Sequence, residues 1–217
     1  NNCVFGTRAG FDLTSGHSNV LMGKNAGQNF TNNESNVVIG NGALESANNG
    51  ENYNIAIGAA ALQTLDTTAG DGQVAIGYEA LKTLNVASPK NVAIGYQAGK
   101  AATTSTESCF IGDESGIAGT LTGDENTCLG YRTGKNLTSG EYNVFLGKDA
   151  GEMCTTGNSN IAIGVNAMEA AQAGVTGNIA IGHAALATEN SSADHCVAIG
   201  YAALNLQNAD VKNMAIG

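Results

Sequence analysis

An all-β parallel solenoid is the fold class this sequence predicts, and three observations predict it. A short motif recurs at nearly constant spacing, apolar residues alternate inside it, and turn residues fill the stretches between its copies. The motif is Asn-Val-Ala-Ile-Gly or a close variant. Its closing glycines are Gly6, Gly23, Gly40, Gly58, Gly77, Gly95, Gly112, Gly130, Gly147, Gly164, Gly182, Gly200 and Gly217, spaced 17 to 19 residues apart. A fixed period of this kind marks a stacked repeat. It predicts a β-roll of about 12 coils, with 1–217 as a single repeat array.

Let each closing glycine be position 0. Position −3 is mostly Val or Ile (Val20, Ile55, Val92, Ile179), and position −1 is mostly Ile (Ile57, Ile94, Ile199). Branched residues two apart predict a short strand with one buried face. The glycine predicts a corner, through positive φ or close backbone approach. A short second extended segment is expected next. Thr14-Ser15-Gly16-His17, Thr138-Ser139-Gly140-Glu141 and Thr155-Thr156-Gly157-Asn158 then supply the turn. Two short strands cannot bury a core alone, so each unit is expected to pair with the coils above and below it.

Asn occupies position −4 in ten of thirteen units, including Asn19, Asn36, Asn54, Asn91, Asn126, Asn143, Asn160 and Asn178. Stacked Asn side chains are expected to form a ladder along the rod. Helix-forming stretches such as Ala59-Ala60-Ala61-Leu62 have room for one turn. A helical solenoid is excluded, because its repeats need about 34 residues.

Positions −2 and +4 compensate in size. Ala precedes Leu or Met in Ala56/Leu62, Ala75/Leu81, Ala162/Met168, Ala180/Leu186 and Ala198/Leu204. A larger residue precedes Gly in Val4/Gly10, Leu21/Gly27, Phe110/Gly116, Cys128/Gly134 and Phe145/Gly151. Val38/Leu44 and Ala93/Gly99 depart from the rule. Close-packed interiors penalise voids and overpacking alike, so conserved volume implies shared space. The two positions are expected to meet in one layer, opposite the Val/Ile layer. With two apolar layers in so thin a coil, one is expected to pack within the chain and the other between chains.

Composition excludes several function classes. The net charge is −10 and the Lys and Arg residues are scattered, so no nucleic-acid partner is expected. No apolar run reaches the 18 or more residues of a span, so no membrane insertion is expected. Residue 1 falls inside a repeat, and the chain is expected to be part of a longer fibre.

Asn-Val-Ala-Ile-Gly-Tyr-Gln-Ala-Gly (91–99) and Asn-Ile-Ala-Ile-Gly-His-Ala-Ala-Leu (178–186) resemble the repeats of trimeric autotransporter adhesin heads. They are more similar still to the repeats of phage and large-virus tail-fibre proteins. The resemblance implies a left-handed roll, a homotrimer, and attachment to a glycan or protein receptor on a host surface. Its expected location is the virion, as a tail fibre, or the cell surface. The readings it leaves open are a bacterial adhesin head and a tail spike that degrades polysaccharide.

The remaining candidates point away from chemistry. An odd set of cysteines without close pairs is not a disulfide framework, and Cys3, Cys109 and Cys128 are expected in core slots. That usage suits assembly in a reducing cytoplasm. His17, His183 and His195 lack ligand spacing, as do the pairs Asp113-Glu114 and Asp124-Glu125, so no metal or other cofactor is expected. Left-handed acyltransferase coils repeat an aliphatic-x-Gly hexad three times per turn, whereas it appears once here. No triad, paired-carboxylate or phosphate-loop constellation recurs, and no enzyme is expected. Thr is too scattered for an ice-binding array. The sequons at Asn29, Asn33, Asn136 and Asn190 are read as incidental. Tyr78, Tyr96, Tyr131 and Tyr201 share position +1, and Tyr78 and Tyr96 in adjacent coils are the candidate glycan contacts.

Overall fold

Each −3 to −1 triplet forms a three-residue strand, too short to persist unless it is paired on its neighbours. The computed structural model describes residues 1–48, 50–87, 89–117, 119–171, 173–189, 194–207 and 212–217. It divides into two compact units, Asn1–Ser108 and Cys109–Gly217.

The first unit carries β1 (Cys3–Phe5), β2 (Val20–Met22), β3 (Val37–Ile39), β4 (Ile55–Ile57), β5 (Val74–Ile76) and β6 (Val92–Ile94). Each strand pairs in parallel with the next, and repeat positions face their equivalents, as in Val20↔Val37 and Leu21↔Val38. The second unit repeats the pattern with β7 (Cys109–Ile111), β8 (Thr127–Leu129), β9 (Val144–Leu146), β10 (Ile161–Ile163) and β11 (Ile179–Ile181). Then follow β12 (Thr188–Glu189), β13 (Val197–Ile199), β14 (Leu206–Gln207) and β15 (Met214–Ile216). Strands β11, β13 and β15 continue the main sheet, and β12 and β14 pair separately. The chain is thus an all-β parallel solenoid, with no helix among the described residues.

Two demands meet at the corner. Gly147 has φ +127°, and a Cβ placed there would lie 2.6 Å from the carbonyl oxygen of Gly164 in the next coil. No other residue satisfies both the torsion and the approach.

Beyond the corner the chain runs mostly through successive turns, and among the described residues the expected second extended segment forms strands only at β12 and β14. Left-handed φ recurs at +2 (Arg8, Asn25, Glu79, Arg132) and at +4 (Leu44, Leu62, Leu81, Met168). These residues cost roughly 1–2 kcal/mol each. Their amides offset it by bonding both neighbours: Glu79 N–H donates back to Ala59 O at 2.9 Å, and Leu62 N–H forward to Ala80 O at 3.0 Å.

The interior is built from −2, +3 and +4. Leu21, Val38, Ala56, Ala75, Phe110, Cys128, Phe145 and Ala162 at −2 are fully buried. So are Leu44, Leu62, Leu81 and Met168 at +4. The size rule has a direct cause. A Cβ on Gly116 would lie 2.7 Å from the Phe110 ring, and one on Gly134 would lie 2.8 Å from Cys128 Sγ.

Of the two apolar layers expected, the strand face at −3 and −1 is the one that points away from the interior. Most of its residues are half-buried, and Met22, Ile94, Leu129, Val144 and Leu146 are exposed. A coil this narrow holds the small −2 residue and its +4 partner, so the bulky residues point outward. Cys3 and Cys109 go with them, against the core slots expected: Cys3 is exposed and Cys109 half-buried. Cys128, Cys154 and Cys196 are buried.

Candidate functional site

Four columns of side chains run from coil to coil, and the sequence repeat positions them all. The first is the Asn column at −4. Asn36 N–H and Nδ2 donate to Asn19 Oδ1 at 3.0 and 3.1 Å, and Asn54 N–H donates to Asn36 Oδ1 at 2.9 Å. Gln73 carries the column on, with Asn54 Oδ1 accepting from Gln73 N–H and Gln73 Oε1 from Asn91 N–H. In the second unit Asn126, Asn143, Asn160 and Asn178 are linked in the same way at 3.0 Å. The amide groups also close the turns: Asn143 Nδ2 donates to Gly157 O and Asn91 Nδ2 to Ser105 O, both at 2.8 Å. All eight Asn side chains are buried. The column satisfies backbone groups that water cannot reach.

A second ladder, at −6, escaped sequence reasoning. Glu34 N–H donates to Asn52 Oδ1 at 2.7 Å, Glu141 N–H to Asn158 Oδ1 at 2.8 Å, and Thr176 N–H to Asp194 Oδ1 at 2.7 Å. Here the acceptor belongs to the later coil, the reverse of the −4 ladder. The recurrence of Asn or Asp at 52, 71, 124, 158 and 194 was its available signal.

The third column is charged and lies beside the corner. Glu79 accepts from Lys82 at 2.7 Å, Lys100 at 2.6 Å and Gln97 at 2.8 Å. The Lys100 ammonium, then Lys82, hold its carboxyl down to about 2 against the opposing effect of burial. In the second unit Arg132 pairs with Asp149 and Glu152, and Lys135 with Glu114 at 3.7 Å. These residues are engaged with one another. Among the described residues no group of three His, Cys, Asp or Glu side chains could hold a metal.

The fourth column is aromatic. The rings of Tyr78 and Tyr96 stack at 5.3 Å and 15°, and those of His183 and Tyr201 at 5.1 Å and 9°. Tyr131 has no ring stacked on it among the described residues and sits near the Arg132 guanidinium at 5.8 Å. All four tyrosines are exposed.

The other candidates are dispersed. His17 Nε2 lies 3.1 Å from Glu34, and His195 lies along Gly177. Burial pushes the Cys128 thiol far up, which makes it inert as a nucleophile. Threonine hydroxyls serve the stack: Thr14, Thr83 and Thr138 each donate to a carbonyl of the next coil. Of the sequon residues, Asn33 is buried with Nδ2 on Glu51, and Asn136 donates to Glu152 O. Asn29 is half-buried, and Asn190 lies outside the described residues. No protein-family model matches this chain, and no curated protein or solved structure matches it either.

Proposed function

We propose that the chain is a non-enzymatic structural and adhesive fibre segment that attaches a virion tail fibre to host cells. Three copies lie side by side, with coils wound left-handed as the family resemblance implies. The observation that carries this reading is the aliphatic outer face of the sheet. Val20, Met22, Val37, Ile39, Ile55, Ile57, Val74, Ile76, Val92 and Ile94 form an outward stripe in the first unit, while the interior is already filled at −2, +3 and +4.

Completing the burial of these partly exposed aliphatic side chains contributes about 0.5–1 kcal/mol each, or roughly 5–10 kcal/mol for this stripe. That is comparable with the roughly 4–15 kcal/mol that association costs in lost freedom. Charged columns at the corners leave the stripe free for a like surface. Threefold repetition of every loop then turns weak surface contacts into avidity.

Sedimentation equilibrium tests the assembly. The wild-type chain is expected at three times the chain mass, and Ile57→Asp with Ile163→Asp is expected to shift it to monomer. A wild-type monomer at all concentrations would overturn the trimer. Attachment of the labelled oligomer to host cells tests the adhesive role.

A further inference from the structure

Position +1 runs Thr7, Lys24, Asn41, Ala59, Tyr78 and Tyr96 through the first unit. Backbone bonds keep this column in register: Ala60 N–H to Asn41 O at 2.9 Å, Glu79 N–H to Ala59 O at 2.9 Å, and Gln97 N–H to Tyr78 O at 2.8 Å. Because Tyr78 and Tyr96 stack on one another, one face of Tyr78 is covered. Its other face turns toward the coil of Ala59, whose methyl group is too small to cover a ring. Tyr78 keeps 46% of its surface exposed. One coil further back, Asn41 is exposed in the same column.

From Tyr78 to Asn41 is two coil spacings, about 9.6 Å along the stack. A single ring layer in van der Waals contact occupies about 3.5–4.0 Å on each side, so the step above Ala59 admits one ring. We infer that this step is a binding slot for an uncharged pyranose. Its C–H face stacks on Tyr78, Ala59 forms the back wall, and Asn41 bonds the hydroxyl rim. A ring with an apolar face and a polar edge fits one aromatic wall and one amide wall. The net charge of −10 disfavours nucleotides and sulfated sugars. The biological partner, a host-surface glycan, rests on the adhesive reading above; the slot itself does not.

Saturation-transfer NMR on the whole chain, with lactose and cellobiose as probes, tests the slot. Transfer to ring protons of at least one disaccharide is expected. Ala59→Tyr adds a ring of the kind the column already accepts at Tyr78 and Tyr96, so the coil stays folded and the transfer is lost. Tyr78→Ala is expected to weaken binding about tenfold, the scale of one aromatic contact. Tyr201→Ala, on the other stacked pair, leaves it unchanged. Transfer to neither disaccharide, or undiminished transfer in Ala59→Tyr, would overturn the slot. Host-cell attachment measured in parallel separates the two readings. Attachment that persists without sugar transfer sinks the slot alone, and absence of wild-type attachment sinks the adhesive role.

Discussion

The ring of Phe145 occupies the space in which a side chain on Gly151 would begin: a Cβ there would lie 2.7 Å from Cδ2. In the next coil the same two positions are Ala162 and Met168, and both are fully buried. One volume is filled from either side of the corner.

That relationship predicts a swap. Phe145→Ala is expected to cost about 3–5 kcal/mol through the cavity it leaves. Gly151→Leu is expected to cost a similar amount through overlap with the ring. The double variant recreates the small–large arrangement of the next two coils, Ala162/Met168 and Ala180/Leu186. It should recover about 2–3 kcal/mol relative to the sum of the single changes. Urea unfolding of the four proteins measures this, and strict additivity would contradict the shared volume.

Corner glycines predict a positional contrast. Gly147→Ala brings Cβ against Gly164 O at a torsion closed to alanine, and should cost more than about 3 kcal/mol. Gly72→Ala, at φ +74° with nothing within 4 Å of the added atom, should cost only about 1–2 kcal/mol. Thermal denaturation of both variants ranks them.

The Asn column predicts a loss larger than one hydrogen bond. Asn143→Ala strands Asn160 N–H, which donates to Asn143 Oδ1 at 3.0 Å, and Gly157 O, which accepts from its Nδ2. Leaving two buried groups unpaired should cost about 2–4 kcal/mol. Hydrogen exchange at Asn160 should rise in the variant, and an unchanged rate would remove the ladder's role.

Glu79 predicts an acid-sensitive contribution to stability. Its carboxyl is held at about 2 when folded, below its ordinary 4.5, chiefly by Lys100 and then by Lys82. A depressed folded pKa means the stabilisation is fully present above the unfolded value and is lost as pH falls toward about 2. Wild type should therefore lose more stability than Glu79→Gln between pH 4.5 and 2. Parallel curves for the two proteins over that window would contradict it.

Much of this architecture was legible in the linear chain. The closing glycines set the unit length, because only glycine tolerates their torsion and their approach to the next coil. The compensation between −2 and +4 announced a shared volume before any coordinate did. Asn recurring at −4 marked a column one coil apart. These features depend on backbone sterics and local volume, which are written position by position.

Three things required the folded chain. Alternation along Val-Ala-Ile says that two faces differ, not which one turns inward, so the small −2 residues proved to be the core and the branched ones the outer face. The left-handed turns at Leu62 and Leu81 are invisible to propensity, because their N–H bonds to Ala80 O and Ala98 O of the next coil offset their strain. The slot beside Tyr78 depends on Ala59 lying one coil away rather than 19 residues along the chain. Sequence alone settled the repeat and its corners; only stacking decided which surfaces face water, because that depends on how each coil curves around so thin an interior.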